Sequence, residues 1–99
     1  MSFVTAQPEM LEAAAGQLAG AGSAVSAQNK AAAAPTTGVI PAAADSVSAL
    51  TAAQFAGYGQ LYQAIGAQAE EILSMLVTTL RTSAGSYALT EAANAVVAR

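Results

Sequence analysis

Ala33-Ala34-Pro35-Thr36-Thr37-Gly38-Val39-Ile40-Pro41-Ala42-Ala43-Ala44-Asp45 interrupts a chain that is otherwise compatible with helix over most of its length. Proline lacks an amide donor and clashes with the preceding turn, and glycine permits a left-handed turn, so a first helix is expected to stop at about residue 34. A second is expected to start near Pro41 or at Asp45. Asp45 is a good N-cap, although Ser48 stands where Glu or Gln would complete a capping box. Upstream, Pro8 followed by Glu9 and Glu12 suits a helix start, because proline fits the first turn and carboxylates complement the positive end of the dipole. Downstream no proline recurs, and Ser83-Ala84-Gly85-Ser86 reads as an end. The expected plan is one all-α domain: helices over about 8–34 and 45–83, an ordered tip over about 35–44, and a tail over about 84–99. The two helices form an unequal antiparallel hairpin.

The 99 residues are 55% hydrophobic and 9% charged. A typical soluble domain carries about a quarter charged residues, so these few cannot cover a small monomer. The excess apolar surface needs a bilayer or another protein. A spanning helix takes about 20 apolar residues in a row, and the best run, Ile72 to Leu80, is broken by Ser74, Thr78 and Thr79. No transmembrane segment is expected. The N-terminus shows no basic region, leucine-rich run or cleavage site, so a conventional signal peptide is not expected either.

Periodicity supports the helical reading. Leu11, Leu18, Val25 and Ala32 recur every seven residues, a single narrow stripe on the first helix. On the second, Val47, Leu50, Tyr58, Leu61, Ile65, Ile72, Leu76 and Leu80 follow spacings that repeat every eleven. Phe55, Tyr62, Leu73 and Val77 fall outside that seam, so the second helix is apolar around much of its circumference and calls for burial on more than one side. Gly16, Gly20 and Ala24, and separately Ala52, Gly59 and Gly66, align as small-residue rows. Glycine in a helix costs about 1 kcal/mol relative to alanine, a cost offset where two backbones approach closely; drift in an alanine-rich chain is the competing explanation. Two helices touching along one line bury one face each. Completion into a four-helix bundle, by a second copy or a different chain, would cover the other face.

Chemistry is sparse. The net charge is −3, and Lys30, Arg81 and Arg99 are scattered, which disfavours nucleic-acid binding and suggests solubilising charges. There is no cysteine and no histidine, so thiolate chemistry and the commonest base and metal ligand are missing. No catalytic residue, cofactor or metal is expected. Glu70 and Glu71 are adjacent and point to different azimuths, which suits a solvated face better than a catalytic pair. Glu9 and Glu12 are accounted for by the helix dipole. Tyr58 and Tyr62 either line a partner interface with their hydroxyls at its rim or are buried between the chain's own helices.

The start Met1-Ser2-Phe3-Val4 with Pro8-Glu9, the tract from Ala33 to Val39, the run from Pro41 to Ser48, and Tyr87 four residues before Glu91 together resemble the mycobacterial Pro-Glu (PE) family over essentially the whole chain. Without the long extensions of some relatives, it resembles a minimal member. The resemblance implies a non-enzymatic hairpin that completes a four-helix bundle with a Pro-Pro-Glu (PPE) family protein. A type VII secretion chaperone would bind through that partner, and the pair would be exported to the cell envelope or beyond. Ala27-Gln28-Asn29 and the run from Ala49 to Phe55 resemble members handled by the fifth such system. Tyr87 and Glu91 match the family's Tyr-x-x-x-Asp/Glu secretion signal; the alternative is a simple i,i+4 contact on a helical extension. The candidate partner interface is Leu11, Leu18, Val25, Phe55, Tyr58, Leu61, Tyr62, Ile65, Ile72 and Leu76. An outer-membrane component of a pore or nutrient-uptake assembly, and a homomeric bundle, are the competing expectations.

Overall fold

The computed structural model describes residues 4–98; Met1-Ser2-Phe3 of the resemblance and the charge of Arg99 lie outside them. The described residues form two helices and no strand, α1 (Pro8–Thr37) and α2 (Ser46–Val97). The chain divides into two compact units, each built from a piece of both helices: Met1–Gly22 with Ile72–Arg99, and Ser23–Glu71.

Helix α1 begins as expected, with Pro8 in the first turn and the Gln7 carbonyl accepting from the amides of Met10 and Leu11. It does not stop at residue 34. Pro35 lies inside the last turn, and the Thr36 and Thr37 hydroxyls donate to the carbonyls of Ala32 and Ala33 at 2.6 and 2.7 Å. The Gly38 amide then closes on the Ala34 carbonyl. A proline so near the end forfeits few backbone bonds, and the threonines expected to discourage helix supply side-chain bonds instead. No described glycine adopts a positive φ, so the left-handed turn expected at Gly38 is not used.

Asp45 caps α2. One carboxylate oxygen accepts the Ser48 amide at 3.0 Å and the other the Ser48 hydroxyl at 2.7 Å, so a short side chain at that position still engages the cap. These bonds hold the Asp45 carboxyl below its ordinary pKa, the hydroxyl bond most of all. Helix α2 then runs for 52 residues, straight through Ser83-Ala84-Gly85-Ser86. The break expected there, and with it a separate tail over 84–99, is not observed. Serine and glycine each disfavour helix by about 1 kcal/mol or less. Against that, Ala84 is buried, and the hydroxyls of Thr82 and Thr90 donate to carbonyls four residues back.

In the unit Ser23–Glu71 the helices run antiparallel: Ser26 meets Glu70, Asn29 meets Tyr62 and Gln63, and Thr36 lies against Gly59. A Cβ on Gly59 would collide with the Thr36 carbonyl oxygen, and one on Gly66 would lie 3.3 Å from the Asn29 side-chain nitrogen. Gly59 and Gly66 therefore turn toward α1, for the close-approach reason read from sequence, and Ala52 of the same row is buried. In the other unit the pairing is again antiparallel, with Glu12 beside Arg81, Gly22 beside Leu73 and Ala6 beside Glu91. Ala15, Val77 and Ala84 are its buried side chains among the described residues. A methyl group added at Gly16 or Gly20 would meet nothing within 4 Å, so that small-residue row is not part of the seam.

The seam positions differ from those expected. The apolar eleven-residue pattern on α2 faces outward for all but Leu80, while the small residues and Leu73 and Val77 face inward. On α1, Leu11, Leu18 and Ala32 are half-buried, but Val25 is 54% exposed and Ser26 takes the seam position. A strict seven-residue stripe drifts by about 20° per repeat around a straight helix. That drift does not account for Val25, because Ala32, one repeat further on, is again half-buried.

Candidate functional site

In the unit Ser23–Glu71, α2 turns Phe55, Tyr58, Leu61, Tyr62 and Ile65 outward, each with more than half of its surface uncovered. At about 100° per residue these positions spread over about 120° of the helix, centred roughly a quarter of a turn from the glycine row, so no rotation of the helix could bury the whole set and the glycine row against one neighbour. The rings are also held in place. Gln54 donates to the Tyr58 hydroxyl at 3.0 Å, and the Tyr62 hydroxyl donates to the Asn29 side-chain oxygen at 2.8 Å. Tyr58 and Tyr62 are thus not buried between the chain's own helices. With Ala32, Thr36, Val39, Phe55 and Gly59 they line a groove of about 530 Å³. It is an apolar hollow with two hydroxyls at its edge, able to receive a large side chain from another helix.

The unit containing both chain ends also exposes apolar side chains. Ile72 is 63% exposed, Met75 and Leu76 are about half-exposed, and Leu11 and Leu18 are half-buried toward the seam. Of the interface candidates, then, Leu11 and Leu18 contribute to the chain's own packing, whereas Val25, Phe55, Tyr58, Leu61, Tyr62, Ile65, Ile72 and Leu76 remain available on the surface. Pro8 is half-buried and Glu9 exposed at the first turn.

Tyr87 and Glu91 sit one turn apart near the C-terminal end of α2. Half of the Tyr87 surface is exposed, and the ring borders a hollow of about 310 Å³ shared with Thr82, Ser83, Ser86 and Thr90. Glu91 is half-buried, and its carboxylate accepts the Ala6 amide at 3.1 Å, just ahead of α1. A carboxylate near a helix N-terminus is favoured by the exposed amides there. Glu12 and Arg81, read separately as a dipole charge and a solubilising charge, form an exposed ion pair at 3.1 Å. Glu70 is half-buried and accepts from the Ser26 hydroxyl at 3.2 Å, so only Glu71 of that pair lies on a solvated face.

Sequence reasoning missed Asn29, which receives the Tyr62 hydroxyl on its side chain and the Gln63 side chain on its carbonyl. Its signal was present: it stands eleven residues after Leu18, a polar residue in line with an apolar seam. Among the described residues no group of three or more His, Cys, Asp or Glu could hold a metal ion, and no helix is long and apolar enough to cross a membrane.

Known mycobacterial proteins share this sequence along its length. The chain is 58% identical to PE family protein PE13 of Mycobacterium tuberculosis over 98 residues, covering 99% of each. It is 53% identical to PE family protein PE8 of the same organism over 98 residues, but spans only 36% of that protein. It is 58% identical to the PE-PGRS family protein PE_PGRS5, also of M. tuberculosis, over 95 residues, which is 16% of that longer chain. With the PE family model matching residues 4–94, from the arm ahead of α1 to the last turns of α2, the chain belongs to the PE family.

Proposed function

We propose that the chain is a non-enzymatic half of a heterodimer, in which a helical hairpin of a PPE family protein covers the outward face of α2. The observation that carries this reading is the exposed set Phe55, Tyr58, Leu61, Tyr62 and Ile65. Large apolar side chains held in fixed positions around a groove are characteristic of a surface built for another protein. A partner supplying two helices would complete a four-helix bundle, burying the groove and leaving the exposed Gln60 and Glu71 of α2 in water. The pair would be exported by a mycobacterial type VII system, the fifth by resemblance, with a chaperone engaging the PPE partner and the machinery reading Tyr87 and Glu91. Its destination would be the cell surface or the medium.

Expression of the chain alone and together with a PPE protein, followed by size exclusion with light scattering, tests the pairing. A one-to-one complex is expected from co-expression, with aggregation or partial folding of the chain by itself. A homomeric four-helix bundle, or a cooperatively melting monomer that ignores the PPE protein, would contradict it.

A further inference from the structure

Glu91 does not project freely as a charge beside Tyr87. Its carboxylate is half-buried and holds the amide of Ala6, a residue 85 positions earlier in the chain. The segment Val4–Gln7 is non-helical and leads directly into Pro8. The Glu91 bond ties that arm to α2. Tyr87 lies one turn before Glu91, its ring half-exposed. The arm is thus held about one helical turn from Tyr87.

We infer that Glu91 acts in export as a latch for the N-terminal arm, so that the surface recognised by the secretion machinery consists of Tyr87 together with the docked arm, rather than Tyr87 and a free carboxylate. This rests on the reading of Tyr87 and Glu91 as the export motif. The occupant of the surface is a protein component of that machinery, with Tyr87 as its aromatic anchor. Glu91 is in this view a positioning residue. What it must supply is an acceptor oxygen at the right distance from the Ala6 amide, and its charge strengthens that bond without being the feature that is read.

The distinction is testable because an acceptor can be kept while the charge is removed. Glu91→Gln preserves a side-chain carbonyl oxygen, Glu91→Ala removes the acceptor, and Ala6→Pro removes the donor while leaving both motif residues intact. In the full-length chain co-expressed with a PPE protein, exchange of the Ala6 amide measured by NMR should be roughly tenfold faster in Glu91→Ala than in the parent, and within a few-fold of the parent in Glu91→Gln. Exchange in α2 around Leu73 to Leu80 should be unchanged in both, showing that the fold persists. In the native host, fractionation should find Glu91→Gln exported at more than half the parental level, and both Glu91→Ala and Ala6→Pro retained in the cell. If Glu91→Gln is retained although its Ala6 amide still exchanges slowly, the charge itself is recognised and the latch is overturned. If Ala6→Pro is exported normally while Tyr87→Ala is retained, the arm plays no part and the inference fails with the export motif intact. Normal export of Tyr87→Ala would instead remove the motif reading on which the inference stands.

Discussion

The unit Ser23–Glu71 and the unit formed by Met1–Gly22 with Ile72–Arg99 both hold two helices side by side, and they do it with different chemistry. The first relies on glycines and on directional bonds: Gly59 against the Thr36 carbonyl, Asn29 with Tyr62 and Gln63, Ser26 with Glu70. In the second, buried Ala15, Val77 and Ala84 and the Gly22–Leu73 contact form the seam, while the Glu12–Arg81 pair stays in solvent. Hydrogen bonds have narrow geometry and fix register, whereas apolar packing is non-directional and supplies strength. In neither unit is a large side chain of the described residues fully buried. Among the described residues, none of the buried set is larger than valine, while Phe55, Tyr58, Leu61 and Ile72 lie outside. The hairpin packs small residues and the half-buried Leu11, Leu18, Leu73 and Leu80 against itself and turns its aromatic side chains outward.

Gly59 is where the first unit's reliance on close approach is most vulnerable. A Gly59→Leu side chain would have to displace the Thr36 backbone, so the cost should be about 3 kcal/mol or more, seen as a lower melting temperature of the chain or its complex. An unchanged melting temperature would mean that the helices do not approach as described. In the other unit Val77→Ala removes two buried methyl groups and should cost about 2 kcal/mol. Asn29→Ala frees the Tyr62 hydroxyl to water at an exposed site, so a loss of about 1 kcal/mol is expected in denaturant titrations. The smallest effect concerns pH. The folded Asp45 carboxyl titrates below its ordinary value of 3.8, so the cap contributes fully above that value and its contribution is lost as pH falls through the lower, folded value. Asp45→Asn, which keeps a capping oxygen, should flatten that acid-side decline in melting temperature, and an identical decline would remove the cap as its cause.

Much of the fold was legible because it rests on local punctuation. Pro8 and Asp45 start helices by rules that act within one turn, and both do so here. The ends were less legible. Pro35-Thr36-Thr37 and Ser83-Ala84-Gly85-Ser86 carry the residue types of helix breaks, yet threonine hydroxyls back-bond and Ala84 is buried, and burial is a tertiary effect that propensity does not contain. The site was legible in composition: the interface candidates on α2 face outward, and only Leu11 and Leu18 of that set turn toward the hairpin's own seam. Apolar periodicity identified Leu61, Ile65 and Ile72 as one face, but whether that face looks inward or outward depends on which surface lets two backbones come closest. The glycine row decided that, and it was visible as a row without its partner, Thr36. The Glu91–Ala6 bond joins opposite ends of the chain and leaves no periodic trace.

If the outward face of α2 exists to be covered by another chain, charge placed there must prevent pairing while charge placed elsewhere on the helix does not. Light scattering on the chain co-expressed with a PPE protein decides this, with Leu61→Asp and Ile65→Asp set against Glu71→Lys. Leu61 and Ile65 are each 56% exposed in the hairpin itself, so aspartate there should leave the hairpin's own seam untouched. Burying it unpaired under a partner should cost several kcal/mol. Loss of the one-to-one complex in both aspartate variants, with Glu71→Lys still paired, is the result predicted. Complexes of equal yield from all three would show that the partner sits elsewhere.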